Sequence, residues 1–96
     1  MIKVIKENNK LVISGHANHS EYGKDIVCAS VSSIIYTTLN AIECLRDNTI
    51  EVIDKDIMEI TYLENDEITS KLINNMMDLL KDLSKDYPKN ISVKES

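Results

Sequence analysis

The chain has 96 residues, of which 11 are Lys or Arg and 16 are Asp or Glu, so its net charge is −5. This length predicts a single domain, residues 1–96, large enough to bury a core without disulfides or structural metals. The acidic balance disfavours direct nucleic-acid binding, which needs a clustered basic face. Two cysteines, Cys28 and Cys44, are too few for a disulfide framework, and we find neither a signal peptide nor about 20 consecutive apolar residues, so we expect a cytoplasmic protein without membrane contact.

Two short strands open the chain. Residues 2–6 are rich in β-branched side chains, which favour a strand, and residues 11–14 repeat the pattern after a turn that contains two asparagines. The pair predicts a β-hairpin that ends at Gly15. Residues 16–24 are polar and include the second glycine, Gly23, so we expect a loop there.

A long helix follows the loop. Apolar residues recur at steps of three and four from Val27 to Leu45, which is the stripe of a packed helix. Asp25 is suited to cap the first turn, and small residues such as Ala29 keep that end of the helix slim. Residues 46–48, Arg-Asp-Asn, are expected to end it.

The second half repeats the order of the first. Residues 50–53 and 57–63 read as strands joined by a turn. The segment 65–67, Asn-Asp-Glu, then supplies acidic cap residues for a second helix, which Pro88 stops.

A short last strand at 91–93 and a frayed tail at 94–96 complete the prediction. The resulting order, ββαββαβ, predicts an α+β fold in which two helices pack on one face of a mostly antiparallel sheet.

Residues with chemical potential concentrate just before and inside the first helix. A thiol near a helix start, such as Cys28, meets the positive end of the helix dipole and free N–H groups, which favour the thiolate. His16 can act as the base beside it, because imidazole titrates near neutral pH. Two plainer interpretations stay open: Cys28 as a small buried hydrophobe, and His16 as a solvated loop residue.

Three more residues have two interpretations each. Asp25 can orient an imidazole or cap the helix. Ser32 lies one turn after Cys28, where it can support the site or simply pack closely. His19 forms an H-x-x-H pair with His16, but the spacing is poor for zinc, so we expect no metal and no cofactor.

These residues together form a long motif. Gly15-His16-Ala17, Gly23, residues 25–29 (Asp-Ile-Val-Cys-Ala) and Ser32 fall at the spacing of the bacterial ribosomal-processing cysteine proteases, the Prp family, which the chain resembles. Length and element order also fit, so the resemblance covers essentially the whole chain. The two glycines bracket the loop, which predicts hinges that let it close over a site.

The resemblance implies a specific activity. It implies a Cys/His dyad, with Cys28 as nucleophile and His16 as base, and a homodimer. It implies that the substrate is the N-terminal extension of a large-subunit ribosomal protein, cut in a hydrophobic-then-basic segment. We further expect backbone N–H groups near Cys28 and Ala29 to stabilise the oxyanion. The rival hypothesis is a non-catalytic acidic module that docks on a basic ribosomal protein.

Overall fold

A computed structural model describes residues 1–15 and 24–96, with the backbone alone at Lys24 and Asp25. Its elements are β1 (Ile2–Lys6), β2 (Lys10–Ser14), α1 (Lys24–Leu45), β3 (Ile50–Asp54), β4 (Ile57–Tyr62), α2 (Glu67–Asp86) and β5 (Ile91–Glu95). The predicted ββαββαβ order is confirmed.

The strands form one sheet in the order β3-β4-β2-β1-β5. Neighbouring strands are antiparallel except β1 and β5, which run parallel. The register places Val4 opposite Ile13 and Ile13 opposite Met58, so that these side chains share one face of the sheet. The prediction of a mostly antiparallel sheet is therefore confirmed.

Both helices cover that same face and complete one core. The buried apolar residues are Ile2, Val4, Leu11, Ile13, Met58, Ile60 and Ile91 from the sheet, Val27, Val31, Ile35, Leu39 and Ile42 from α1, and Ile73, Met76, Met77 and Leu80 from α2. The strand alternation and the helical stripe converge on this single layer, as expected for an α+β sandwich.

The start of α2 is defined by a side-chain cap. Asp66 accepts hydrogen bonds from the backbone N–H of Thr69 at 2.9 Å and from its hydroxyl at 3.0 Å. The Thr69 hydroxyl also contacts the Thr49 hydroxyl at 2.7 Å in the interior. Mainly because of the backbone hydrogen bond, the pKa of the Asp66 carboxyl lies below its usual value. The helix begins at Glu67, within the acidic segment that the sequence indicates as its cap.

The C-terminal tail is ordered, so the expectation of a frayed tail is wrong. β5 continues beside β1 to the pair Lys6 and Glu95. The backbone N–H of Ser96 donates to the carbonyl of Lys6 at 3.0 Å, and the Glu95 carboxylate pairs with Lys81 at 2.5 Å. The tail is ordered because its backbone pairs with the parallel strand β1.

Helix α1 contains a long segment that is mostly apolar. Its segment Ile26–Leu45 spans 20 residues with a mean hydropathy of 1.3, enough by length and composition to cross a membrane. The segment is not a run of consecutive apolar residues, because it includes Ser30, Asn40 and Glu43, so the expectation that no such run occurs is not contradicted. One such helix is weak support for a span, because core helices of soluble proteins share these properties, and here 33% of the segment is buried inside the fold.

Candidate active site

The structure describes one half of the predicted catalytic pair. Cys28 lies in α1, whereas His16, His19 and Gly23 lie outside the described residues, as does the side chain of Asp25. The pairing of thiol and imidazole and the second hinge therefore stay predictions, as does the expectation that His16 and His19 bind no metal.

Cys28 is the fifth residue of α1 and is half-buried, with its side chain packed against the core. Ser32, one turn later, is half-buried as well. Cys44 lies 16 residues further along the same helix, about 24 Å away at 1.5 Å per residue, and neither thiol is in a disulfide in the described part of the chain. Cys28 is thus accessible in part, on a rigid element.

Two expectations about the first turn do not fit this helix. Because α1 begins at Lys24, Asp25 lies inside the first turn and not at the cap position. A regular α-helix leaves only its first four N–H groups without an intrahelical acceptor, and Cys28 and Ala29 lie beyond those positions. Their N–H groups are therefore poor oxyanion donors, and the available donors are those of the residues before Cys28.

Gly15 directly follows the last residue of β2. Its backbone is left-handed, with φ of 81°, which favours glycine because it has no Cβ. A Cβ here would overlap the carbonyl oxygen of Met1. The prediction that Gly15 ends the strand is confirmed, whereas its role as a hinge stays a prediction.

A contact that the sequence analysis missed lies two turns after Cys28. The Tyr36 hydroxyl donates a short hydrogen bond to the Asp54 carboxylate at the end of β3. This bond raises the pKa of the Tyr36 hydroxyl above its ordinary value, because the neutral form is the donor. Residues four apart share one side of a helix, so the flank of α1 that carries Cys28 and Ser32 continues to Tyr36 and faces β3.

Comparisons with known proteins agree with this fold. Residues 1–92 match the family model described as cysteine protease Prp. The ribosomal processing cysteine protease Prp of Mycoplasma pneumoniae is 37% identical over 98 residues, which cover 99% of this chain and 95% of that protein.

Two crystal structures of the S. aureus ribosomal processing protease Prp are also similar to this chain. The complex with a substrate peptide superposes with a TM-score of 0.92 at 26% identity, covering 100% of both chains. The complex with a covalently linked product peptide superposes with a TM-score of 0.88 at 27% identity, again covering 100% of both.

Proposed function

The chain belongs to the cysteine protease Prp family, and from this membership we propose that it is an endopeptidase that cuts a ribosomal protein with Cys28 and His16. The observation that carries the proposal is the position of Cys28, half-buried near the start of α1 and directly after the segment that contains His16, in a chain matched to the protease family over residues 1–92.

The proposed reaction is acyl transfer through a thioester. His16 takes the proton of the Cys28 thiol, and the thiolate sulfur attacks the scissile carbonyl carbon. Free N–H groups of the first turn of α1 stabilise the oxyanion. His16 then protonates the leaving amine as the C–N bond breaks. Water, deprotonated by His16, attacks the thioester, which releases the carboxylate product and regenerates the thiol.

The proposed substrate is the N-terminal extension of a large-subunit ribosomal protein. Two observations support a substrate of this class: the M. pneumoniae relative is named as a ribosomal processing protease, and the S. aureus relative was crystallised with a substrate peptide. The net charge of −5 suits a basic protein substrate. We also propose that the enzyme acts in the cytoplasm as a homodimer.

The test uses matched pairs of variants. Cys28→Ala and His16→Ala are expected to lower cleavage of the extended ribosomal protein by at least about a thousandfold, because the nucleophile and its base act as a unit. Cys44→Ala and His19→Ala remove the same side chains elsewhere and are expected to retain activity. Mass spectrometry of the substrate measures the shortened product.

Either dyad variant cleaving at the wild-type rate would overturn the residue assignment. A stable complex with the wild-type protein in which the substrate mass never changes would instead favour the non-catalytic binding module.

A further inference from the structure

A groove runs between α1 and β3, the edge strand of the sheet. Among the described residues β3 pairs with β4 alone. Val52 of β3 pairs with Ile60 on the face that the helices cover, yet Val52 is 39% exposed whereas Ile60 is 0% exposed. The helix therefore leaves the inner side of β3 open, and a pocket of about 210 Å³ lies there, with Leu39, Ile50 and Val52 as its apolar lining.

The rim of this α1–β3 groove is acidic. Glu43 and Asp47 line the pocket, and Glu51 is exposed on β3. Within the described part of the chain none of these three carboxylates forms an ion pair. Arg46 also lines the pocket, but its guanidinium is paired with Asp66 at 3.4 Å. The groove therefore presents uncompensated negative charge beside apolar surface.

The groove lies on the same flank of α1 as the candidate nucleophile. Leu39 and Glu43 follow Cys28 by 11 and 15 residues, which is about 16 to 22 Å along the helix axis. An extended peptide covers that distance in about five to seven residues. Between the two lies Tyr36, 40% exposed and bonded to Asp54, so a peptide on this path passes over the Tyr36 ring.

Resting on the proposed protease function, we propose that the α1–β3 groove binds an extended basic segment of the substrate, about five to seven residues from the scissile bond. Its apolar lining takes an aliphatic or aromatic side chain, and Glu43, Asp47 and Glu51 attract Lys or Arg. The outer edge of β3, which pairs with β4 alone among the described residues, additionally offers backbone groups to an extended peptide. A second copy of this chain is disfavoured as the occupant, because it would bring like charges together.

The test compares two peptides that span the scissile bond, one with a lysine pair six residues from it and one with glutamines there. The double variant Glu43→Gln/Asp47→Asn is expected to raise KM for the lysine peptide by about three- to tenfold, since each exposed charge pair contributes little, and to leave kcat unchanged. The glutamine peptide is expected to show no change. Added salt should shrink the difference, because it screens exposed charges.

The matched control is Asp82→Asn/Asp86→Asn, which removes two exposed carboxylates from α2. An equal rise in KM in this control, or an unchanged KM in the groove variant, would overturn the groove assignment while leaving the protease proposal intact. If the wild-type protein cuts neither peptide, the protease proposal fails, and fluorescence anisotropy with the labelled lysine peptide tests the groove by affinity alone. A change of oligomeric state in the groove variant, measured by sedimentation, would assign the groove to a second copy.

Discussion

At the scale of single residues, two left-handed backbone positions stand out within the described ranges, and they have different surroundings. Gly15 has φ of 81° and Asn48 has φ of 64°. Asn48 follows the end of α1, where asparagine commonly adopts this conformation. At Gly15 a Cβ would in addition overlap the backbone of Met1. Position 48 therefore requires only a left-handed backbone, whereas position 15 also requires a residue without a side chain.

We expect Gly15→Ala to destabilise the protein by about 2 kcal/mol or more, since it adds a steric overlap with Met1 to the roughly 1–2 kcal/mol of left-handed strain. Asn48→Ala is the comparison, because asparagine already has a Cβ, so this change adds no steric overlap and costs only the smaller preference of asparagine over alanine for this conformation. Urea denaturation measures both free energies of unfolding. Equal losses in the two variants would contradict the overlap with Met1.

Cys28 and the Tyr36–Asp54 hydrogen bond differ in how far the sequence could predict them. Cys28 could be singled out from the sequence because a thiol near a predicted helix start has a known chemical consequence. Tyr36 and Asp54 could not, because 18 residues separate them and no local pattern links a helical tyrosine to the end of a strand. The available signal was the four-residue spacing from Cys28 through Ser32 to Tyr36. It shows that these residues share one side of α1, but it does not show that this side faces β3.

At the scale of elements, the cap of α2 makes the stability of the protein depend on pH. The Asp66 carboxylate accepts two hydrogen bonds from Thr69, and this holds its pKa in the folded protein below the 3.8 of a free side chain. The unfolded chain therefore binds a proton more readily than the folded protein does. The stabilisation is complete above the unfolded pKa and is lost as pH falls through the folded pKa.

We expect Asp66→Asn to flatten the fall in Tm between pH 5 and pH 3, because the amide still accepts the cap hydrogen bond but does not titrate. Thermal unfolding followed by circular dichroism across this range measures the effect. The control is Glu67→Gln, which removes a neighbouring exposed carboxylate that forms the pair with Lys71 at 3.1 Å. Parallel Tm curves for wild type and Asp66→Asn would contradict the coupling.

At the scale of the whole molecule, one apolar layer joins both helices to the sheet. Leu80 of α2 is 0% exposed, whereas its neighbour Leu79 is 44% exposed. Two adjacent leucines therefore lie on opposite sides of the core boundary. Comparing their substitutions tests where the core ends.

Leu80→Ala is expected to lower the free energy of unfolding by about 2–5 kcal/mol, because it leaves a cavity in a close-packed interior. Leu79→Ala should cost less than about 1 kcal/mol, since much of that side chain is already in water. Chemical denaturation distinguishes the two. Similar losses for both would show that Leu79 is covered in solution, for example by a second protomer.

Local patterns in the sequence were sufficient to determine the order of strands and helices, the acidic cap of α2 and the apolar stripe of the helix that carries Cys28. Such features depend on residues within one or two turns of each other, so periodicity and capping chemistry report them directly. The family could also be recognised from the sequence, because all positions of its motif fall within one short segment, from Gly15 to Ser32.

Only the tertiary structure decided the features that join distant parts of the chain. The parallel pairing of β5 with β1 brings Ser96 to Lys6, and it orders a tail whose own composition predicts fraying. The open flank between α1 and β3 depends on how far the helix lies from the edge strand, as the exposed Val52 shows. These contacts arise when the sheet and helices assemble, and the free energy that selects them is not encoded in any short segment.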